Sequence, residues 1–260
     1  MTVINEDLNL LDWTRETDFT PNINWGYRYA MPVYDPLTTG WRNFYTEGDF
    51  DIGTALSDNP MVWGQHSTAL KRGTAPAWDT TSILTPCVWC ETGNTRPWRM
   101  IYAGQSGLAQ LGLATSITGS IFEKVDTTGG TLSAPVLTGS LNYDIGGIMK
   151  TGNIYHLYYN TISPPRQIFL ATSTNLKDWT NYSTSPIWRE TEGPDISGAT
   201  ISTYQGRFCC DVVRWDRKDG TERYVALVPH YTATNTFPET EVYTCPNPYF
   251  SNSICLRNIL

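Results

Sequence analysis

The chain has 260 residues and a formal net charge of −7, and 17% of its residues are charged against the roughly 25% of an average soluble protein. Aromatic residues make up 13%, with 10 Trp and 15 Tyr, so the surface is expected to present Thr, Ser, Asn and aromatic edges rather than a coat of ion pairs. No basic cluster exceeds LKR (70–72) or DRK (216–218), which argues against nucleic acid as a partner, and no apolar run is long enough for a membrane-spanning helix.

The length suits a single domain over residues 1–260 with a sizeable core, and no linker or low-complexity stretch divides it. The opening MTVINEDLNLLDW carries Glu6, Asp7 and Asp12 where a signal peptide needs a basic end and an apolar centre. Synthesis in the cytoplasm is therefore expected, a setting that also suits a virion protein released by lysis.

In chain order, GWRNFYTEG (40–48) leads into DIGTALSDNPMVW (51–63), and RPWRMIYAG (96–104) leads into QLGLATSITGSIF (110–122). NIYHLYYN (153–160) leads into QIFLATSTNLKDW (167–179). Then come GRFCCDVVRW (206–215), RYVALVPHY (223–231), EVYTCPNPYF (241–250) and SICLRNIL (253–260). Aromatic and β-branched residues alternate in these segments between Gly, Asn and Pro, which is the strand signal, and no helical period is sustained. The second member of each pair aligns on Ala55, Ala114 and Ala171, a repeat of roughly 60 residues that holds about four strands, the content of one propeller blade.

The pattern predicts an all-β fold, a β-propeller. NLLDWTR (9–15) matches NLKDWTN (175–181), which points to five blades with the last shared between the chain ends, residues 3–15 beside strand 253–260. A four-bladed ring with an N-terminal arm is the alternative. Trp63, Phe122 and Trp179 share one slot of the repeat and are expected to pack blade against blade.

Cys87 and Cys90 sit three apart in a predicted strand, so their side chains leave opposite faces; together with Cys209, Cys210, Cys245 and Cys255 they are expected to be free thiols. The three His (66, 156, 230) are scattered, which gives no metal spacing, and His156 in IYHLYY reads as a core histidine.

The stretch TPCVWCETGNTRPWRMIYAGQSGLAQLGLATSITGSIFEKV (85–125), followed by APVL (134–137), resembles the five-bladed propeller glycoside hydrolases of the arabinanase, xylosidase and invertase groups. That resemblance implies hydrolysis by paired carboxylates: an acid that protonates the leaving oxygen, a base or nucleophile opposite, and a third carboxylate tuning the acid. It also implies that these acids open the innermost strands, eight residues ahead of the turn glycine. Counting back from Gly40, Gly93, Gly152 and Gly206 reaches Pro32, Thr85, Asp144 and Gly198, so Asp144 alone is an acid in place.

Glu192, in EGP, resembles the general-acid phrase of the family, and Asp79 is offset from its ruler by the same amount. The candidate catalytic set is thus Asp144, Glu192 and Asp79. Trp78 and Trp188, near strand entrances, are candidates for stacking on a sugar ring, with Asp195 binding hydroxyls. The plainer reading makes Asp79 and Asp195 turn residues and Glu192 a solvated acid. Arg28 and Arg189 are the expected partners of Asp144. No cofactor is implied, a central calcium ion near His230 being the one candidate.

The expected function is a carbohydrate-interacting propeller whose partner is a glycan or oligosaccharide, with an incomplete carboxylate set. The alternative is a non-catalytic glycan-binding, structural or receptor-binding part of a phage virion, in contact with other virion proteins. Few Lys and abundant Thr and Asn suit that alternative.

Overall fold

The computed structural model describes residues 27–48, 50–59, 62–126, 134–139, 143–161, 167–182, 187, 206–207, 211–216, 220–231, 239–250 and 254–259. Seventeen strands and no helix occur among them, so no helix is long and apolar enough to cross a membrane. Sheet 1 holds β1 (Tyr27–Asp35), β2 (Gly40–Glu47), β3 (Asp51–Ser57) and β4 (Gly64–Leu70) in that order. Sheet 2 holds β5 (Ser82–Cys90), β6 (Trp98–Gln105), β7 (Ala109–Ser116) and β8 (Glu123–Lys124). Sheet 3 repeats the order with β9 (Tyr143–Thr151), β10 (Ile154–Thr161), β11 (Ile168–Ser173) and β12 (Thr180–Asn181). Sheet 4 has an inner edge in two pieces, β13 (Gly206–Arg207) and β14 (Asp211–Asp216), then β15 (Glu222–Tyr231), β16 (Glu239–Cys245) and β17 (Ile254–Ile259).

All neighbouring strands are antiparallel, as short hairpin connections require. The inner strands touch in succession, β1 with β5, β5 with β9 and β9 with β14, which is the arrangement of propeller blades around an axis.

Alternation explains how each sheet serves two interfaces. On β6, Trp98, Met100 and Tyr102 point toward sheet 1, where they join Phe44, Ile52, Leu70 and Phe122. Ile101 and Ala103 point the other way, toward Leu157, Tyr159 and Ala171 of sheet 3. Trp98, Met100, Ile101 and Tyr102 are all fully buried, each contributing about 1.5–3 kcal/mol of transfer free energy. Polar ties join the blades as well. Arg42 donates Nε to Asp35 Oδ2 at 2.7 Å and Nη1 to Ser120 Oγ at 3.1 Å, and it lies over the Trp98 ring. The Phe122 amide donates to the Ala69 carbonyl at 2.8 Å, and Tyr158 OH donates to the Pro248 carbonyl at 2.6 Å.

The repeated phrase is a turn. Asn175 Oδ1 accepts the amides of Lys177 and Asp178 at 2.9 Å, Leu176 sits at φ 66°, and Trp179 donates its indole N–H to the Leu176 carbonyl. Asn247 Oδ1 accepts the Tyr249 amide at 3.1 Å in sheet 4, and Phe250 lies at φ 53°. An Asx turn therefore closes the third strand in both sheets. Phe122 bridges sheets 1 and 2 as expected, whereas Trp63 packs inside sheet 1 with Tyr45 and Ala55.

Two expectations shift. Residues 254–259 pair with β16 as the outer strand of sheet 4, because the short link after Cys245 makes a hairpin the nearest partner. The expected companion segment 3–15 lies outside the described residues, which contain four sheets. Gly206 does not end an inner strand but begins one; the inner hairpin of sheet 4 turns between Asp216 and Glu222, with Gly220 at φ 78°. Counting back from Gly206 was therefore counting from the wrong turn.

In sheets 1 to 3 the inner hairpin also carries one extra residue on its inner strand. The register passes from Arg28↔Thr46 to Met31↔Phe44, from Leu84↔Ala103 to Cys87↔Ile101, and from Ile145↔Tyr159 to Gly147↔Tyr158. These β-bulges bend the inner strands of sheets 1 to 3 where the blades converge.

Candidate active site

Asp144 is the second residue of β9, ahead of the bulge. The bulge decides which way it faces. Tyr143 and Ile145 lie in the cluster shared with sheet 2, and strict alternation would put Met149 there too. Met149 instead joins the cluster shared with sheet 4, and Ile148 takes its place. The phase flips at Gly146, so Asp144 belongs to the face turned toward sheet 4.

Its direct partner across the ladder is Asn160, on the same face as Tyr158 and His156. Asp144 is 9% exposed; its Oδ1 accepts the Ile145 amide at 2.9 Å. Beside it, Tyr143 meets Tyr159 edge-on at 5.1 Å, and burial pushes both phenols above their ordinary pKa. Tyr159 in turn stacks on Phe169 and donates to Asn181 Oδ1 at 2.9 Å. Asn160 thus faces the carboxylate across the ladder, while Tyr143, Tyr159 and Phe169 fill the opposite face of the sheet.

The residues at the corresponding ruler positions differ. Pro32 is exposed on β1. Thr85 is 5% exposed at the bulge of β5, with φ 45°, a strained value for a β-branched residue. Its amide donates to Thr46 Oγ1 at 3.3 Å, while its own Oγ1 is buried without a hydrogen bond among the described residues.

Asp79 takes up a different environment. It lies in the connector from β4 to β5, at 0% exposure. Its Oδ2 meets Lys124 Nζ at 2.6 Å and accepts Tyr102 OH at 3.1 Å. Trp78 stacks on Tyr102 with ring centres 5.7 Å apart, over Gly104 and Gly112. A Cβ at either glycine would come within 2.5–2.8 Å of the indole, so the glycines make the berth for that ring. Asp79 and Trp78 are on the face of sheet 2 turned to sheet 1, and Asp144 is on the face of sheet 3 turned to sheet 4. The structure does not bring these acids together. Glu192, Trp188, Asp195 and Arg189 lie outside the described residues, and of Arg28 only the backbone is described.

His156 is buried, its ring edge-on to Tyr249 of sheet 4 at 5.5 Å, and burial holds its pKa below 6.5. Cys87, Cys90 and Cys245 are free thiols; Cys209 and Cys210 lie outside the described residues, and of Cys255 only the backbone is described. Among the described residues no group of three His, Cys, Asp or Glu converges as a metal site, and His230 is described by its backbone alone.

The sequence did not point to Asn160. Simple hairpin counting from the turn at Gly152 pairs Asp144 with Thr161; the extra residue at Gly146 moves the pairing by one. The Gly146-Gly147 pair was the only sequence signal for that bulge.

No sequence-family model matches the chain, and no curated protein matches it in sequence. Solved structures do share its fold. A thermostable family-43 glycoside hydrolase superimposes with a TM-score of 0.69 at 14% identity, covering 92% of this chain and 74% of that one. The endo-arabinase from Bacteroides thetaiotaomicron gives 0.67 at 12% identity, over 90% of this chain and 81% of that one. The fructofuranosidase from Schwanniomyces occidentalis, complexed with fructose, gives 0.66 at 15% identity, over 90% of this chain and 46% of that one. At these identities the likeness is one of fold.

Proposed function

We propose that the chain is a carbohydrate-active propeller that engages a furanoside- or xyloside-containing glycan where its inner strands begin, with Asp144 at the centre of the site. The observation that carries this reading is the placement of Asp144: a carboxylate opening an inner strand, next to Asn160, in a fold shared with solved glycoside hydrolases. Its face is turned toward sheet 4, and the segment leading into that sheet contains Glu192 and Asp195.

In the catalytic version, Glu192 donates its proton to the leaving glycosidic oxygen as the bond to the anomeric carbon breaks, and a second carboxylate assists the attack from the other side. Asp144 serves either as that second carboxylate or as the group that keeps Glu192 protonated. Trp188 and Asp195 hold the sugar. Asp79 is left out of the set, since its full burial and its bond to Lys124 favour a structural role.

A second reading, glycan binding without hydrolysis, is favoured by Thr85 and Pro32 at positions where the resemblance asks for acids. A setting among the other proteins of a phage virion rests on composition alone. Arabino-, xylo- and fructo-oligosaccharides, assayed for new reducing ends and by calorimetric titration, separate the two. The enzyme reading expects Asp144→Asn to lower turnover by about 10²-fold or more with the fold intact. The binding reading expects no turnover in either protein and a loss of about 1–3 kcal/mol in affinity. Unchanged behaviour of Asp144→Asn on every sugar removes the proposal.

A further inference from the structure

Sheets 2 and 3 part at the hairpin end of their inner strands, opposite the end where Asp144 lies. The apolar seam through Ile101, Leu113, Leu157 and Leu176 gives way there to a cleft of about 460 Å³. Its walls include Glu91, Arg99, Thr115, Lys150, Tyr155 and Lys177. Three cations against one carboxylate are unusual in a chain of net charge −7.

The carboxylate is already engaged. Glu91 Oε1 accepts Tyr155 OH at 2.6 Å and Lys150 Nζ at 3.1 Å. Burial pushes Glu91 up, but the bonds from Tyr155 and Lys150 outweigh it and hold the carboxyl below its ordinary range. Glu91 and Lys150 therefore neutralise each other. Arg99 and Lys177 have no such partner among the described residues. Arg99 lies on the Ile101 face of β6, half-buried, and its Nε is shielded from water without a hydrogen bond. Its neighbour Arg96, by contrast, holds Glu123 at 2.8 Å. A guanidinium N–H shielded from water without an acceptor is costly, and the planar fork of the group fits two oxygens of one anion.

We infer that this cleft is a second binding site, for an oxyanion, and that its occupant is the carboxylate of a uronic acid unit in a glycan. Arg99 takes the two oxygens, and Lys177 on the facing wall adds charge. The oxyanion site stands on its own geometry; the choice of a sugar as its carrier rests on the proposed function.

The test is calorimetric titration of the full chain with galacturonate trimer, neutral galactotriose and inorganic sulfate. The trimer is expected to bind, more weakly as salt rises, and galactotriose is not expected to bind at this cleft. Arg99→Gln should weaken the trimer by about ten-fold or more and Lys177→Ala by about two- to five-fold, with melting curves unchanged. Asp144→Asn should leave this binding as it is. Sulfate bound as tightly as the trimer, and equally sensitive to Arg99→Gln, supports the oxyanion site and overturns the sugar as its carrier. Trimer binding that survives Arg99→Gln, or no anion binding at all, overturns the site. Asp144→Asn reports on the inner-strand site and Arg99→Gln on the cleft, so failure of one reading is distinguishable from failure of the other.

Discussion

Asp79 and Asp144 are both buried carboxylates on loops or strands that lead into a blade, and they differ in what surrounds them. Asp79 has a cation at 2.6 Å, a phenol at 3.1 Å and no exposure. Asp144 keeps 9% exposure, takes a bond from its own strand and sits beside an amide. The first is buried in the face of a sheet, beneath an indole; the second stands ahead of the bulge of an inner strand. Position within the blade, more than the acid itself, separates a staple from a site.

The comparison can be broken in several ways. The largest effect is expected from Asp79→Ala, which strands Lys124 and should cost about 3–5 kcal/mol in urea unfolding. Asp79→Leu with Lys124→Met should recover most of that loss, because an apolar pair needs no compensation. Asp144→Asn should change stability by less than about 1 kcal/mol. An Asp144→Asn protein as unstable as Asp79→Ala would erase the distinction.

Thr85→Gly sharpens it from the other side. Relief of the positive φ, offset by the chain entropy of glycine, should stabilise the fold by about 1 kcal/mol. A clear loss of stability would mean that its buried side chain outweighs the backbone strain.

The smallest effect is a pH dependence. Burial holds His156 below 6.5 in the folded state, so the unfolded chain takes up a proton first as pH falls. Stability is therefore full above about 6.5 and declines below it, until the folded imidazole also protonates. Asp35 and Glu91 act in a lower window. Burial raises each, but bonds from Arg42 to Asp35 and from Tyr155 and Lys150 to Glu91 prevail, and both end below their ordinary values of 3.8 and 4.5. Their contribution is present above those values and is lost as pH falls through the depressed ones. Replacing His156 by Gln should remove the upper limb of the acid unfolding curve and leave the lower one.

Much of the fold was legible because its signal is local. GWRNFYTEG became β2, NIYHLYYN became β10, and RYVALVPHY became β15, each within a residue or two. Alternating aromatic residues that fill two interfaces leave little choice of secondary structure. Long-range facts were not legible. Nothing near Asp79 announces Lys124, and nothing near SICLRNIL says that β16 is its neighbour. The site was half legible: the spacing from Gly152 found Asp144, while the bulge that sets its face and its partner Asn160 is a property of the paired strands.

That bulge also sets what the chain can tolerate. The inner strands of sheets 1 to 3 are counted in two phases, one before the extra residue and one after it, and the hairpin turns lie beyond both. Removing a residue from a turn such as 92–95 shortens a loop, and removing Gly146 itself would set Ile145↔Tyr159 and Gly147↔Tyr158 side by side with every face kept. Removing Ile148, in the regular half of β9, would shift all that precedes it by one. With the outer half held by its core contacts, Asp144 would swing from the sheet 4 side into the apolar seam with sheet 2, and Tyr143 would leave it. Single-residue deletions in the regular parts of these strands should therefore be purged by selection far more strictly than deletions in the turns. The lengths of these strands, and not only their residues, are the inherited part of the ring.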